Sequence, residues 1–279
     1  MNNPALYKKA NEVQRHDSEI IIAEYAPKMK WRYDGSDSLI DLGSGSGDVL
    51  MDFIYPRMPK NFHRLVCSDI NPKMVKSASD QYGHIKGTEF RVLDMATQLN
   101  LPSDLQEQFD HVVSFYAMMW VENQRQCLKN ISNLLRVNGG DCLLVQLASH
   151  PILDGYKLLS QMDKWAEYMN ELDTLIPVPI QHWQQPTKDF AQLMAEVGFR
   201  DLSVNVQSKV FDYGSLETFK VNMKAVNPFL DRIPISLHKD YLDDLMSMTL
   251  KSLGWPIDNA DYNIKFPVPY QLLIAFGRK

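Results

Sequence analysis

Ser38-Leu39-Ile40-Asp41-Leu42-Gly43-Ser44-Gly45-Ser46-Gly47 is the stretch on which the reading of this chain turns. A short, mostly apolar run suits a strand buried on both faces. Three alternating glycines then let the backbone approach a ligand with no Cβ in the way. The following segment, 48–54, has helical character, and a helix N-terminus offers free N–H groups that favour negative charge. Strand, glycine turn and helix predict the opening unit of a parallel α/β sheet.

Moving outward, Leu6, Ala10, Val13, Ile20 and Ile21 keep helical spacing, so the chain up to about residue 26 reads as one amphipathic helix ended by Pro27. Lys and Arg do not dominate its polar face, which favours a lid over a cofactor rather than a membrane-surface helix. Further strands are predicted at 64–69, 90–94, 111–115 and 142–147, with helices at 72–80 and 124–135. The second half is less regular, with helices at 155–170, 188–197, 215–226 and 237–253 and strands at 204–211 and 270–276. The expected architecture is a single domain over 1–279. It has a lid helix at about 3–26 and helical cap insertions at about 148–187 and 212–269, placed to roof a pocket at the carboxyl ends of the strands.

Composition removes several function classes. Of 279 residues, 29 are Lys or Arg and 34 are Asp or Glu, a net charge of −5 that speaks against a broad phosphate-binding face and hence against nucleic acid. Cys67, Cys127 and Cys142 are odd in number and lack C-x-x-C spacing, so neither a disulfide framework nor a zinc site is expected. The histidines, His16 and His150 among them, are scattered, and no metal is predicted. The N-terminus lacks an apolar signal core, and the densest apolar run, 112–121, is too short for a bilayer. A cytoplasmic protein with no stable membrane insertion is expected.

Two cofactor classes use such a glycine loop. The dinucleotide fingerprint G-x-G-x-x-G fits at Gly43 and Gly45 but meets Asp48 at its third position. The pattern D/E-x-G-x-G-x-G is met in full by Asp41, Gly43, Gly45 and Gly47, and resembles motif I of the class I S-adenosylmethionine methyltransferases. Asp69 ends the second predicted strand, where a carboxylate can accept ribose hydroxyls. By the methyltransferase pattern, Asp94 at the end of the third faces the adenine amino group and Ser114 at the end of the fourth sits beside the donor. Each could instead cap the helix that follows. A nicotinamide dehydrogenase is the other reading of the loop. With Tyr7, Ser44, Ile70 and Met95, these residues form the candidate cofactor set.

A wider resemblance runs from Met1 to Lys279. Its carriers are Leu6-Tyr7-x-x-Ala10-Asn11-x-Val13-Gln14-Arg15-x-Asp17, the loop Leu42–Gly47, Asp69-Ile70, Phe109–Val112, Ser114-Phe115-Tyr116, Trp120, Gly139–Leu144 and Val197-Gly198-Phe199. In these the chain is similar to the insect juvenile hormone acid O-methyltransferases. The Tyr7–Gln14 spacing and the tryptophan after the fourth strand also resemble plant carboxyl methyltransferases. The resemblance implies a Rossmann-like, mostly parallel seven-stranded sheet with helices on both faces. It also implies S-adenosylmethionine as cofactor and a hydrophobic carboxylic acid, such as farnesoic acid or juvenile hormone acid, as substrate. A homodimer stays open. Fatty-acid or other small-acid methylation, and a non-catalytic S-adenosylmethionine- or lipid-acid-binding paralogue, are the alternatives. Methylation of a hydroxyl would need a general base, and none is evident.

The implied chemistry suits the residues. A carboxylate, with a pKa of about 4–5, is already a nucleophile at neutral pH, so the site must supply orientation and water exclusion. Gln14 and Trp120 carry neutral N–H donors, and in the resemblance they orient the carboxylate, with Tyr116 and Met119 beside them. An arginine there would damp the nucleophile. From the residues alone, Trp120 in its apolar run could equally be core, and Gln14 could face solvent. The family commonly places His where this chain has Met119, and a thioether cannot donate. Met162, Trp165, Tyr168, Met169, Trp183, Met223 and Phe229 could line a long apolar pocket or form the core of the insertions.

Overall fold

The computed structural model describes residues 4–137 and 139–279. Its seven strands are β1 Ser38–Leu42, β2 Arg64–Asp69, β3 Thr88–Val92, β4 His111–Phe115, β5 Asp141–Ser149, β6 Arg200–Asp212 and β7 Pro267–Arg278. They form one sheet in the order β3-β2-β1-β4-β5-β7-β6. β1 to β5 pair in parallel, while β7 runs antiparallel to both β5 and β6. The apolar runs of β1 and β4 are buried at every position because helices cover both faces. β6, at the sheet edge, mixes exposed and half-buried residues. Strand order reverses between β1 and β4, and ligands of open α/β sheets bind outside the strand ends at such a point.

Successive strand residues face opposite sides of the sheet. Leu39, Leu65, Val113 and Leu143 belong to one apolar cluster with the N-terminal helix and the cap; Ile40, Val66, Val112 and Leu144 belong to another. The second cluster takes in Leu128 and Ile131 of α4, Gln124–Leu134, and Phe190 and Met194 of a later helix, Pro186–Glu196. Among the described residues no helix is long and apolar enough to cross a membrane.

The N-terminal segment departs from expectation. It forms two helices, α1 Pro4–Lys9 and α2 Glu12–Tyr25, with a break at Ala10 and Asn11; residue 3 lies outside the described residues. Apolar spacing continues across the break, but Asn11 is buried and its Nδ2 donates to Asp48 Oδ2 at 3.4 Å. Asparagine readily trades helical backbone for side-chain bonds. Pro27 does not stop the chain sharply either, since a 3-10 turn, Ala26–Lys28, follows α2 directly. The predicted helix after the glycines is a π-helical turn, Leu50–Ile54. α3, Pro72–Tyr82, starts as its sequence suggests: Pro72 opens it and the Asn71 side chain accepts from Lys73 N.

In the second half the expected 155–170 helix divides into α5, Pro151–Ser160, and a short α6, Asp163–Ala166, before α7, Leu172–Leu175. α8, Pro186–Glu196, packs on β6 and β7. α9, Leu216–Val226, and α10, His238–Ser252, complete the cap, with α10 lying along α5. Gly155 permits that approach, because a Cβ there would sit 2.3 Å from Thr249 Oγ1.

Candidate active site

The glycine loop is shaped by its neighbours before any ligand is considered. Gly43 N and Ser44 N both donate to Ser68 O at 2.8 Å, tying the loop to the end of β2. Gly43 has φ +79°, and a Cβ there would lie 2.2 Å from that of Ala117. Asp69 Oδ2 accepts from Gly45 N at 3.0 Å and Oδ1 from Asn71 N at 2.8 Å, which aims the carboxylate. Burial nonetheless raises its pKa against these bonds.

Above the loop lies a cavity of about 690 Å³ whose wall includes Tyr7, Gly43, Gly45, Asp69, Ile70, Asp94 and Met95. That volume is in the range of ligand and cofactor pockets. Ile70 is 65% exposed, a large apolar side chain turned to this space. Asp94 is exposed and its Oδ1 accepts from Ala96 N at 2.9 Å. A carboxylate for a ribose, apolar side chains for a flat base and a floor free of Cβ atoms fit S-adenosylmethionine.

Four of the predicted cofactor residues do not reach the cavity wall. Asp41 is buried beneath the loop; its carbonyl accepts from Ser44 Oγ and Ser68 Oγ, and its Oδ1 has no partner. Burial and then the Asp69 charge push its carboxyl up to about 7. Ser44 spends its hydroxyl on that carbonyl. Gly47 packs beside the Tyr82 ring. Ser114 Oγ donates to Leu42 O at 2.8 Å inside the sheet.

A second, smaller cavity of about 50 Å³ adjoins the first, sharing Tyr7, Tyr116, Trp120 and Val226. Gln14, Met119, Ile152, Leu153, Tyr156 and Met223 complete it, so the structure brings Gln14 and Trp120 to one space. No lining side chain is charged. Gln14 Oε1 is buried without a hydrogen-bond partner.

Tyr116 is fixed at its backbone and at its hydroxyl. Its backbone adopts φ +56°, uncommon for a bulky residue and a form of strain typical of functional sites. Its hydroxyl donates to Asp17 Oδ2 at 2.5 Å, and Tyr270 donates to the same oxygen at 2.6 Å. Burial and the Asp17 charge raise the Tyr116 pKa, so the phenol stays protonated. Asp17 lies one turn beyond Gln14 on α2, and the same bonds therefore pin the helix that carries Gln14.

Of the insertion residues considered for a long pocket, Met223 lines the small cavity, whereas Trp165, Met169 and Phe229 are buried core. Trp165 Nε1 donates to Asp244, and its ring meets Tyr241 edge-on. Met162, Tyr168 and Trp183 line neither cavity. Sequence reasoning missed Ile152, Leu153 and Tyr156 of α5, and Thr174 and Leu175 of α7. The α5 residues carry no motif; only the packing of the cap brings them to the strand ends.

A methyltransferase domain family matches residues 40–143. The chain is 44% identical to juvenile hormone acid O-methyltransferase of Drosophila melanogaster, over all of this chain and 93% of that one. It is 36% identical to the Bombyx mori protein of the same name, over 100% and 98%. In fold it is similar to the YcgJ protein of Bacillus subtilis (TM-score 0.59, 14% identity, 95% of this chain and 98% of that one). It is also similar to phosphoethanolamine N-methyltransferase 2 of Haemonchus contortus, solved with S-adenosyl-L-methionine (TM-score 0.54, 14% identity, 94% and 52%). Full-length identity at this level, on this glycine loop and sheet order, places the chain in the juvenile hormone acid O-methyltransferase family of S-adenosylmethionine-dependent methyltransferases.

Proposed function

We propose that the chain methylates the carboxylate of a hydrophobic isoprenoid acid, such as farnesoic acid or juvenile hormone acid, within juvenile hormone biosynthesis. The observation that carries this reading is the small cavity: mostly apolar, free of charged side chains, joined to the glycine-floored cavity, and lined by Gln14 and Trp120, whose side chains carry neutral N–H donors. The relatives' names support the substrate class.

When bound, the cofactor supplies an electrophilic methyl group on a sulfonium. Gly43, Gly45, Asp69, Ile70, Asp94 and Met95 would hold it, with Tyr7 at the seam of the two cavities. Gln14, its amide rotated, and Trp120 would donate N–H groups to the carboxylate. Neutral donors orient the anion without the ion pair that would lower its nucleophilicity. No proton leaves the substrate, so no side chain need act as a base. Helices α1 and α2 on one side and α5 and α9 on the other exclude water.

At about 50 Å³ the small cavity is well below the roughly 300–1,000 Å³ of ligand pockets, so an isoprenoid chain needs its walls to yield. Met119 and Met223 are the adaptable ones. Three buried free thiols, Cys67, Cys127 and Cys142, fit a reducing cytoplasm.

Transfer of labelled methyl to a panel of acids and matching alcohols tests the reading. Methyl ester should form on farnesoic and juvenile hormone acids and not on the alcohols. Label on fatty acids alone would keep the reaction and remove the hormone assignment; label on alcohols would overturn the reaction class.

A further inference from the structure

Tyr156 has no part in the scheme above, yet it stands in the same small cavity as Gln14 and Trp120. The residue is 3% exposed, and its hydroxyl is buried with no hydrogen-bond partner. A buried tyrosine hydroxyl ordinarily finds a partner, and leaving it without one costs stability. Gln14 Oε1 is in the same condition in the same space. Two residues on the wall of one cavity each carry a buried polar atom without a partner, and with the Gln14 amide rotated both can donate to a polar group that enters it.

The size of the cavity restricts where that group can lie. In a cavity of about 50 Å³ a polar group lies near several wall residues at once. Of the remaining wall, Tyr116 spends its hydroxyl on Asp17, Tyr7 stands at the seam with the larger cavity, and Met119, Ile152, Leu153, Met223 and Val226 have no hydroxyl or N–H side-chain donor. A carboxylate presents about four lone-pair sites, enough for three donors, whereas an alcohol oxygen has two. Met119, at the position before Trp120, cannot donate, and Tyr156 faces the space from the cap instead.

We propose that the Tyr156 hydroxyl is a third neutral donor to the substrate carboxylate, beside Gln14 and Trp120. The inference rests on the carboxyl-methylation reading and adds the residue by which the cap recognises the acid. The side chain is preorganised for the task. Its ring packs at 5.8 Å from that of Phe229, which is fully buried, and α5 is seated on α10 through Gly155. Burial raises the phenol pKa well above its ordinary value, so the hydroxyl is a donor throughout the working range.

The test is Tyr156→Phe, assayed with farnesoic acid, the epoxide-bearing juvenile hormone acid and a saturated fatty acid of similar length. The KM for every acid the wild type uses should rise by the same factor, about ten-fold or more, as expected for one hydrogen bond to a charged group. The KM for the methyl donor and kcat should stay within about three-fold. Tm without substrate should be unchanged or higher, because no partner is lost. A merely structural role would lower Tm or disturb the donor KM as well, and either result would overturn the proposal. So would an unchanged acid KM, or a loss confined to the epoxide acid, which would place the hydroxyl on the tail. A wild type that methylates no acid would overturn the functional reading itself, and this inference with it.

Discussion

The two ends of the sheet are built on opposite principles. At the amino end, before β1, β4 and β5, each buried carboxylate meets a donor, and Asp37 leaves one oxygen, Oδ2, without a partner. Asp37 accepts from Arg32 N and lies 3.1 Å from His111 Nε2; Asp141 lies 2.7 Å from His111 Nδ1 and accepts from Lys30 N. Asp110 takes Arg32 Nε at 2.7 Å and Ser38 N at 2.9 Å. At the carboxyl end, Gln14 Oε1, Asp41 Oδ1 and the Tyr156 hydroxyl are buried without partners, and Tyr116 carries a positive φ. One end spends its polar groups on the fold. The other leaves Gln14 and Tyr156 beside a cavity, with Asp41 buried beneath the glycine loop.

Removing the ring at the amino end should have the largest effect on stability and the least on binding. His111→Ala leaves Asp37 and Asp141 facing one another in the interior, and breaking such a buried pair costs about 3–5 kcal/mol. Chemical denaturation should show that loss, while the KM values for donor and acid at permissive temperature stay near wild type. A changed KM with unchanged stability would break the comparison.

Gly43→Ala comes next and should act at the other end. Strain at positive φ is of order 1–3 kcal/mol, and the added methyl meets Ala117. Calorimetry should find donor binding weakened about ten-fold or more, since 1.4 kcal/mol is a factor of ten.

pH separates the ends more finely. Burial opposes a charge on His111, but the bonds to Asp141 and Asp37 outweigh it and hold the ring up to about 9. Because this exceeds the ordinary value near 6.5, the stabilisation is complete below about 6.5 and is lost as pH rises through about 9. Asp41 is also raised, to about 7, so its contribution is present below its ordinary 3.8 and lost as pH rises through 7. Asp41→Asn should therefore exceed wild type in Tm by more at pH 8 than at pH 5, at roughly 2–4 °C per kcal/mol. The decline through pH 9 should persist in that variant and vanish in His111→Gln. A pH 5–8 trace for Asp41→Asn parallel to that of wild type would remove Asp41 from the group of uncompensated residues.

Much of the sheet was legible because parallel strands buried on both faces are short apolar runs, and the glycines between β1 and the next turn mark a ligand. The motif overstates the site. The loop leaves strand geometry at Gly43, Gly45 and Gly47, which all take positive φ, so Gly43 and Gly45 reach the cavity while Asp41, Ser44 and Gly47 support it from beneath. Ser114 is spent on Leu42 O. The break at Asn11 was hidden because apolar spacing passes through it, and depends on Asp48, far along the chain. Tyr156 was unreadable for a similar reason: its place follows from α5 packing on α10.

The most direct test of the carboxyl end as a carboxylate-holding end is calorimetric titration of farnesoic acid and farnesol into the protein saturated with S-adenosylhomocysteine, for wild type and Gln14→Ala. The acid should bind wild type, and the variant should hold it about ten-fold or more weakly, the loss of one bond to a charged group. Farnesol should bind weakly to both. Equal binding of acid and alcohol, or full retention of the acid by Gln14→Ala, would contradict the account.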